Sequence, residues 1–267
     1  MPDFLFNHSD EIYKKILKSD VIFIFLDYDG TLVSFKDSPA KVITPERIKK
    51  VLRLLIQIQK IKVIIVTGRT LEDIKKLLHV KRLSFIALHG LYIDSPEGVQ
   101  FQRKTAQKTR SLITVIKKNM HSILKEEKGA YLEDKGLTVV FHYRLLPKNR
   151  IRILRETFKT IVRDYDKKKI LEFINGAKVI EARPKGWNKG NAIELFLSHF
   201  ANTKKILPIY IGDDITDEDA FRTLAKKGIT IHVTHEKKRK TAAHYWVKNP
   251  EEVAFFLESL AQKVKQV

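Results

Sequence analysis

Val21-Ile22-Phe23-Ile24-Phe25-Leu26-Asp27-Tyr28-Asp29-Gly30-Thr31 sets the reading of this chain. An unbroken apolar run rich in β-branched and aromatic residues fits a strand buried on both faces of a parallel sheet. Two carboxylates stand where that strand ends, and in open α/β sheets ligands bind beyond the carboxyl ends of the strands. Asp27 and Asp29, two residues apart on extended backbone, can face the same side, and Gly30 lets the chain turn sharply over whatever they hold. Such a pair suits a hard, oxygen-bound cation and phosphate chemistry. Asp and Gly are also ordinary turn residues, so the stretch taken alone equally describes a plain strand-to-helix loop.

Three later segments bear on that choice. Thr67-Gly68-Arg69 closes a second apolar run, Val63-Ile64-Ile65-Val66, and its hydroxyl and amides can bind phosphate oxygens; otherwise Thr67 is a loop cap. Thr70 is expected to cap a helix starting at Leu71, with Asp73 in the first turn. Lys189 enters a helix carrying Ile193, Leu195, Phe196 and Leu197. A lysine there opposes the helix dipole unless an anion partners it, the alternative being a solvated lysine. Finally, Gly212-Asp213-Asp214-Ile215-Thr216-Asp217-Glu218-Asp219 follows the strand Ile209-Tyr210-Ile211. So many acids repel one another unless cations or solvent separate them. A helix dipole accounts for Asp217 to Asp219 but leaves Asp213 and Asp214 unexplained.

In this order, Asp-x-Asp-Gly-Thr, Thr-Gly-Arg, Lys and Gly-Asp-Asp-x-x-Asp resemble the four motifs of the haloacid dehalogenase-type phosphatases, from Asp27 to Asp217. The resemblance implies an α/β protein with a Rossmann-like parallel-sheet core. It makes Asp27 the nucleophile, Asp29 the general acid and base, and Thr67, Gly68 and Lys189 the phosphate binders. It also implies Mg²⁺ held by Asp27, the backbone carbonyl of Asp29 and Asp213, with Asp214 and Asp217 in support. An acid at the position of Asp29 favours phosphate-ester hydrolysis over the dehalogenase branch.

The alternation of strands and helices is interrupted once. Thr44-Pro45-Glu46 opens a helix, with Thr44 as its cap, and strands and helices alternate up to Leu88. A hairpin then precedes a block predicted as helix (106–124), strands (130–133, 137–143), helix (147–165) and strands (170–174, 178–182), the last two flanking a turn at Asn175-Gly176. The expected organisation is a core in two parts, 1–104 and 184–267, with an α+β cap at 105–183. Lying between Thr67 and Lys189, such an insertion would form a lid that excludes water and reads the leaving group.

Glu133-Asp134-Lys135, the strand ending His142-Tyr143-Arg144, and Glu181, together with the acidic loop, look like trehalose-6-phosphate phosphatases. The implied substrate contacts are Arg69, Glu133, Lys135 and Glu181. Charged side chains suit a disaccharide, which is a ring of donors and acceptors. His89, His142 and Arg144 receive no role; His142 and Arg144 could form a cross-strand pair. Phosphatases acting on sucrose phosphate or a glycosylglycerate phosphate would share every core residue.

Composition bounds the rest. With 267 residues, 43% of them hydrophobic, the chain can bury a sizeable core. The lack of cysteine excludes disulfides, thiolate catalysis and Cys-ligated zinc. Met1 to Asp20 carries acids and lysines and no long apolar core, so no secretory signal or membrane span is expected, and the enzyme is expected in the cytoplasm. The net charge of +20 can attract nucleic acid or acidic lipid. The lysines, however, are dispersed, with only short clusters at 167–169 and 237–240, and no nucleic-acid motif accompanies them. A solvated basic surface is preferred over specific nucleic-acid binding. A basic binding protein with a vestigial site is the reading from another class, and oligomeric state is left open.

Overall fold

The computed structural model describes residues 2–35, 42–102, 106–176, 178–202, 205–236 and 240–266. The expected seam between 104 and 105 and the basic residues Lys237, Lys238 and Arg239 lie outside the described residues. The chain divides into two compact units: Met1–Phe101 with Asn188–Val267, and Gln102–Trp187.

In chain order the first elements are β1 (Asp3–Phe4), α1 (Ser9–Leu17), β2 (Val21–Leu26), α2 (Glu46–Leu55), β3 (Ile61–Val66), α3 (Leu71–Leu78), β4 (Ser84–Ala87), β5 (Tyr92–Asp94) and β6 (Gln100–Gln102). There follow α4 (Ala106–Leu124), β7 (Tyr131–Asp134), β8 (Val139–His142), α5 (Lys148–Tyr165), β9 (Leu171–Gly176) and β10 (Val179–Pro184). The chain ends with α6 (Lys189–Ser198), β11 (Ile206–Gly212), α7 (Glu218–Leu224), β12 (Ile229–Val233), β13 (Tyr245–Val247) and α8 (Pro250–Lys265).

Among the described residues the larger unit is built on a nine-stranded sheet of order β1-β13-β12-β11-β2-β3-β4-β5-β6. From β1 to β4 all neighbours run parallel, and β5 turns back antiparallel to β4. After β2 the chain builds outward through β3 and β4; later it returns to lay β11, β12 and β13 on the other side. The strand order therefore reverses between β2 and β11, and a crevice opens at the carboxyl ends of such neighbours. Leu26 sits opposite both Ile65 and Ile211, which sets the ends of the three central strands level.

Strand alternation then assigns faces. Ile22, Ile24 and Leu26 join a buried layer with Ile12, Ile16, Val51, Leu52, Phe256 and Leu260 from α1, α2 and α8. Phe23 and Phe25 face the other way, with ring centroids 6.1 and 5.9 Å from Phe196 of α6. Asp27 is next in that second series and so emerges on the α6 side. Truncating a core Ile or Leu of this kind to Ala costs about 2–5 kcal/mol, so the frame carrying Asp27 is well anchored.

Two local expectations need correction. Thr44 does not cap α2, whose N-cap is Pro45, with no side-chain hydrogen bond. The Thr44 hydroxyl instead donates to the Leu77 carbonyl (2.9 Å) and lies 2.7 Å from the Tyr28 hydroxyl, because it is buried among partners rather than exposed at a helix end. In the smaller unit Asn175 and Gly176 do not form the turn; they end β9, with Gly176 paired to Val179, and the left-handed residue is Lys178 (φ 65°).

The smaller unit is a four-stranded antiparallel sheet, β7-β8-β10-β9, among the described residues. One face supplies Val139, Phe141, Ile180 and Ala182 to a core with Ile116 and Met120 of α4 and Leu154, Phe158 and Val162 of α5. The other series carries Tyr131, Glu133, Val140, His142, Glu181 and Arg183, which is a polar face. Among the described residues no helix is long and apolar enough to cross a membrane.

Candidate active site

Asp27, Thr67 and Asp213 stand just past the ends of β2, β3 and β11, where the sheet order reverses. Asp27, Asp213 and Asp217 bring ligand oxygens within 4.8 Å of one another. Gly30 makes this approach possible: it holds φ 88°, and a Cβ there would fall on the Asp213 carboxylate. Next to it Thr31 donates its hydroxyl to Asp213 Oδ1 at 3.2 Å. Gly212 allows the second close approach, since a Cβ at that position would collide with the Asp217 carboxylate.

Lys189 is the first residue of α6, whose N-cap Asn188 accepts a hydrogen bond from Asn191 N at 2.9 Å. The helix start places the lysine against the dipole, and the anionic partners that remove the objection are present. Nζ donates to Asp27 Oδ1 at 2.7 Å and to Asp217 Oδ1 at 2.6 Å, with the lysine side chain only 3% exposed. Burial disfavours the ammonium, but the two carboxylates outweigh it and hold Lys189 well above its usual range.

The acids diverge because their partners differ. Burial pushes Asp27 up to about 7, against the pull of Lys189. Asp213 is also raised well above its ordinary value, by burial and by the charges of Asp27, Asp217 and Asp214. Asp217 is lowered despite complete burial, because Lys189 and several hydrogen bonds favour its charge. Its Oδ1 accepts from Lys189 and the Tyr210 hydroxyl, and its Oδ2 from the backbone amides of Asp213 and Asp214, each 2.9 Å away. Asp214 turns inward on the chain, its Oδ1 accepting from Ile215 N at 2.7 Å.

This set suits a cation. Three carboxylates lie together, one ammonium bridges two of them, burial raises Asp27 and Asp213 toward protonation, and every donor is a hard oxygen. Asp217 is already occupied at both oxygens, so its chemistry is that of a brace for the loop and for Lys189.

The Thr67-Gly68-Arg69 turn is fixed from behind by an unusual segment. Leu88 and His89 both adopt left-handed backbone (φ 51° and 54°), and their amides donate to the carbonyls of Arg69 and Thr67 at 3.0 Å each. Two consecutive non-glycine residues in this region are costly and persist only where the surroundings dictate them. Thr67 is buried and its hydroxyl accepts from Arg69 N at 3.1 Å. Thr70 caps α3 as expected, accepting from Asp73 N at 3.2 Å. Arg69, expected at the substrate, is turned toward Asp29, to which it gives two hydrogen bonds.

In the smaller unit Glu133, Val140 and Glu181 form one row across β7, β8 and β10. Lys135 donates its backbone amide to Thr138 O at 3.0 Å. Burial and the nearby charge of Glu181 raise the Glu133 carboxyl, but the His142 hydrogen bond and the charge of Lys135 outweigh them and keep it below the usual carboxylate range. His142 is partnered by Glu133, at 2.8 Å.

Sequence reasoning did not find Tyr210, Asp73 or His232. The His232 ring, buried in β12, hydrogen-bonds the Asp213 carbonyl at 3.1 Å. The alternation of β11 could have pointed to Tyr210, since it puts that residue on the face of Asp27; Asp73 and His232 carry no comparable signal.

Comparison with known proteins gives the family and the fold. A family model described as trehalose-phosphatase matches residues 25–251. Trehalose-phosphate phosphatase B of Arabidopsis thaliana is 32% identical over 96% of this chain and 70% of its own length. The crystal structure of a trehalose-6-phosphate phosphatase related protein superposes with a TM-score of 0.78 at 27% identity, covering 91% of this chain and 99% of that one. The C-terminal domain of a C. albicans trehalose-6-phosphate phosphatase shares the fold, with a TM-score of 0.80 over 98% of both chains at 22% identity. With its sheet order, its acidic strand ends and this match along nearly its whole length, the chain belongs to the trehalose-phosphatase family.

Proposed function

We propose that this chain hydrolyses trehalose 6-phosphate to trehalose and inorganic phosphate. The observation that carries the reading is the Lys189 ammonium held between Asp27 and Asp217 at the ends of β2 and β11, with Asp213 beside them. An ammonium fixed on the nucleophile's own oxygen is where a phosphoryl group's negative charge would need offsetting.

Asp27 attacks phosphorus, forming an aspartyl-phosphate, and the bond to the sugar oxygen breaks. Asp29 protonates the departing alkoxide. In the second half-reaction Asp29 takes a proton from water, which displaces Asp27 and releases phosphate. The Thr67 hydroxyl, the Gly68 amide and Lys189 bind the phosphoryl oxygens throughout. Asp27 and Asp213, with the Asp29 carbonyl, would hold Mg²⁺, and Asp214 and Asp217 would support them. When bound, Mg²⁺ supplies positive charge that keeps these buried carboxylates ionised and offsets the phosphoryl oxygens.

The smaller unit acts as the cap that reads the sugar, with Glu133, Lys135 and Glu181 bonding its hydroxyls. Their support is the polar sheet face on which Glu133 and Glu181 share a row. Phosphate release from a panel of trehalose 6-phosphate, sucrose 6-phosphate, glucosylglycerate phosphate and an aryl phosphate tests the reading. Trehalose 6-phosphate should give the highest kcat/KM. A clear preference for another sugar phosphate would keep the chemistry and replace the substrate.

A further inference from the structure

Glu133 reaches the polar face of its sheet from β7, an edge strand, where a long carboxylate side chain has many rotamers available. One neighbour removes that freedom. His142 of β8 lies one row away on the same face, and its Nε2 is 2.8 Å from Glu133 Oε2. The imidazole is itself held flat: Tyr131, directly opposite it across the β7–β8 pair, stacks on it with centroids 4.3 Å apart and planes 5° from parallel. The His142 side chain is 12% exposed, whereas Glu133 is 37% exposed, so the pair has a buried, fixed end and an accessible end.

We infer that His142 is a positioning residue for sugar recognition: stacked on Tyr131, it holds one oxygen of Glu133 and so aims the carboxylate at the sugar. The inference rests on the proposed role of Glu133 and extends it to residues that touch no substrate. A carboxylate bound at one oxygen enters complex formation with less rotamer freedom to lose. The other charged groups facing Glu133 and Tyr131 are Lys135, Glu181 and Arg144: the charge of Lys135 lowers the Glu133 carboxyl and that of Glu181 raises it, while Glu133 and Arg144 act in opposite senses on Tyr131.

A double-mutant cycle on KM distinguishes positioning from plain structural support. His142→Ala should raise KM for trehalose 6-phosphate about tenfold, the size of one ordinary hydrogen bond, with kcat changed less than twofold. His142→Gln, whose amide nitrogen reaches about as far as Nε2, should restore most of the loss. In a Glu133→Ala background, which removes the acceptor, His142→Ala should add less than twofold. Independent, multiplying losses, or a Gln variant as poor as Ala, would overturn the inference. Should the alanine variant not fold, His142→Asn, whose amide stops short of Glu133, serves in its place. If the wild-type protein prefers another sugar phosphate, the cycle is run on that substrate, so failure of the substrate assignment and failure of the positioning role give separate results.

Discussion

Arg69 grips both carboxylate oxygens of Asp29, with Nε and Nη2 each at 2.7 Å, and anchors its remaining terminal nitrogen on Asp73 Oδ2, also at 2.7 Å. The guanidinium is 8% exposed and lies 5.4 Å from the Tyr28 ring centroid, so its fork is fixed on several sides. Two carboxylates keep it firmly charged despite burial. A planar fork of this kind has no lysine equivalent.

Arg69→Lys should therefore lower kcat by roughly ten- to a hundredfold, the loss of one charged hydrogen bond. The loss should be the same for trehalose 6-phosphate and for a small aryl phosphate, because Asp29 serves both. Steady-state kinetics on the two substrates decide it. A loss confined to the sugar phosphate would return Arg69 to the substrate-binding role that the family resemblance implies.

Lys189→Met would leave Asp27 and Asp217 buried without their shared cation. Removing one partner of such a group costs about 3–5 kcal/mol, and the melting temperature should fall accordingly. Turnover should disappear along with it. Asp27→Asn should abolish turnover while circular dichroism stays native; substantial phosphate release by that variant would exclude Asp27 as the nucleophile.

The raised Asp27 and Asp213 give the metal-free protein a signed pH dependence. With Asp27 at about 7 in the folded state and near its ordinary value unfolded, the folded protein binds more protons between about pH 4 and 7. Stability from this group falls as pH rises through that window. A divalent cation takes over the neutralising role where the proton has left, so the rise in Tm on adding Mg²⁺ should be larger at pH 8 than at pH 5.5. Saturation at a hundred times Kd contributes about 2.7 kcal/mol. Differential scanning fluorimetry that shows no Mg²⁺ effect at either pH would remove the cation from these carboxylates.

Gly30→Ala should cost about 1–3 kcal/mol, because φ 88° is unfavourable for alanine and the added methyl meets the Asp213 carboxylate. Activity should fall further than that stability loss alone explains, since the methyl displaces Asp213 itself. Chemical denaturation and kinetics on the same preparation separate the two effects; a variant with native stability and turnover would show that Gly30 is not required for the close approach.

The core was legible where the physics is local. The apolar run of β2 and the Thr70 cap of α3 could each be read from residues within a few positions of one another. The short strands β1 and β13, with two and three residues, were not, since strands that short present no periodicity and exist through their neighbours. The Thr44 assignment failed for a related reason: a threonine before Pro-Glu looks like a cap until tertiary packing offers it Tyr28 and Leu77. In the site, the acids and Lys189 announced themselves by type and place. The partners of Arg69 and His142 did not, because those contacts depend on which side chains face one another across the fold.

The most direct measurement is the ratio of kcat/KM for trehalose 6-phosphate to that for a small aryl phosphate, in Glu133→Ala and in Lys189→Ala. Glu133→Ala should reduce the ratio roughly ten- to a hundredfold, because only the sugar loses a charged hydrogen bond. Lys189→Ala should depress both substrates and leave the ratio near that of the wild-type protein. A Glu133→Ala variant that loses activity equally on both substrates would contradict the division of labour between a unit that reads the sugar and one that cleaves the phosphate.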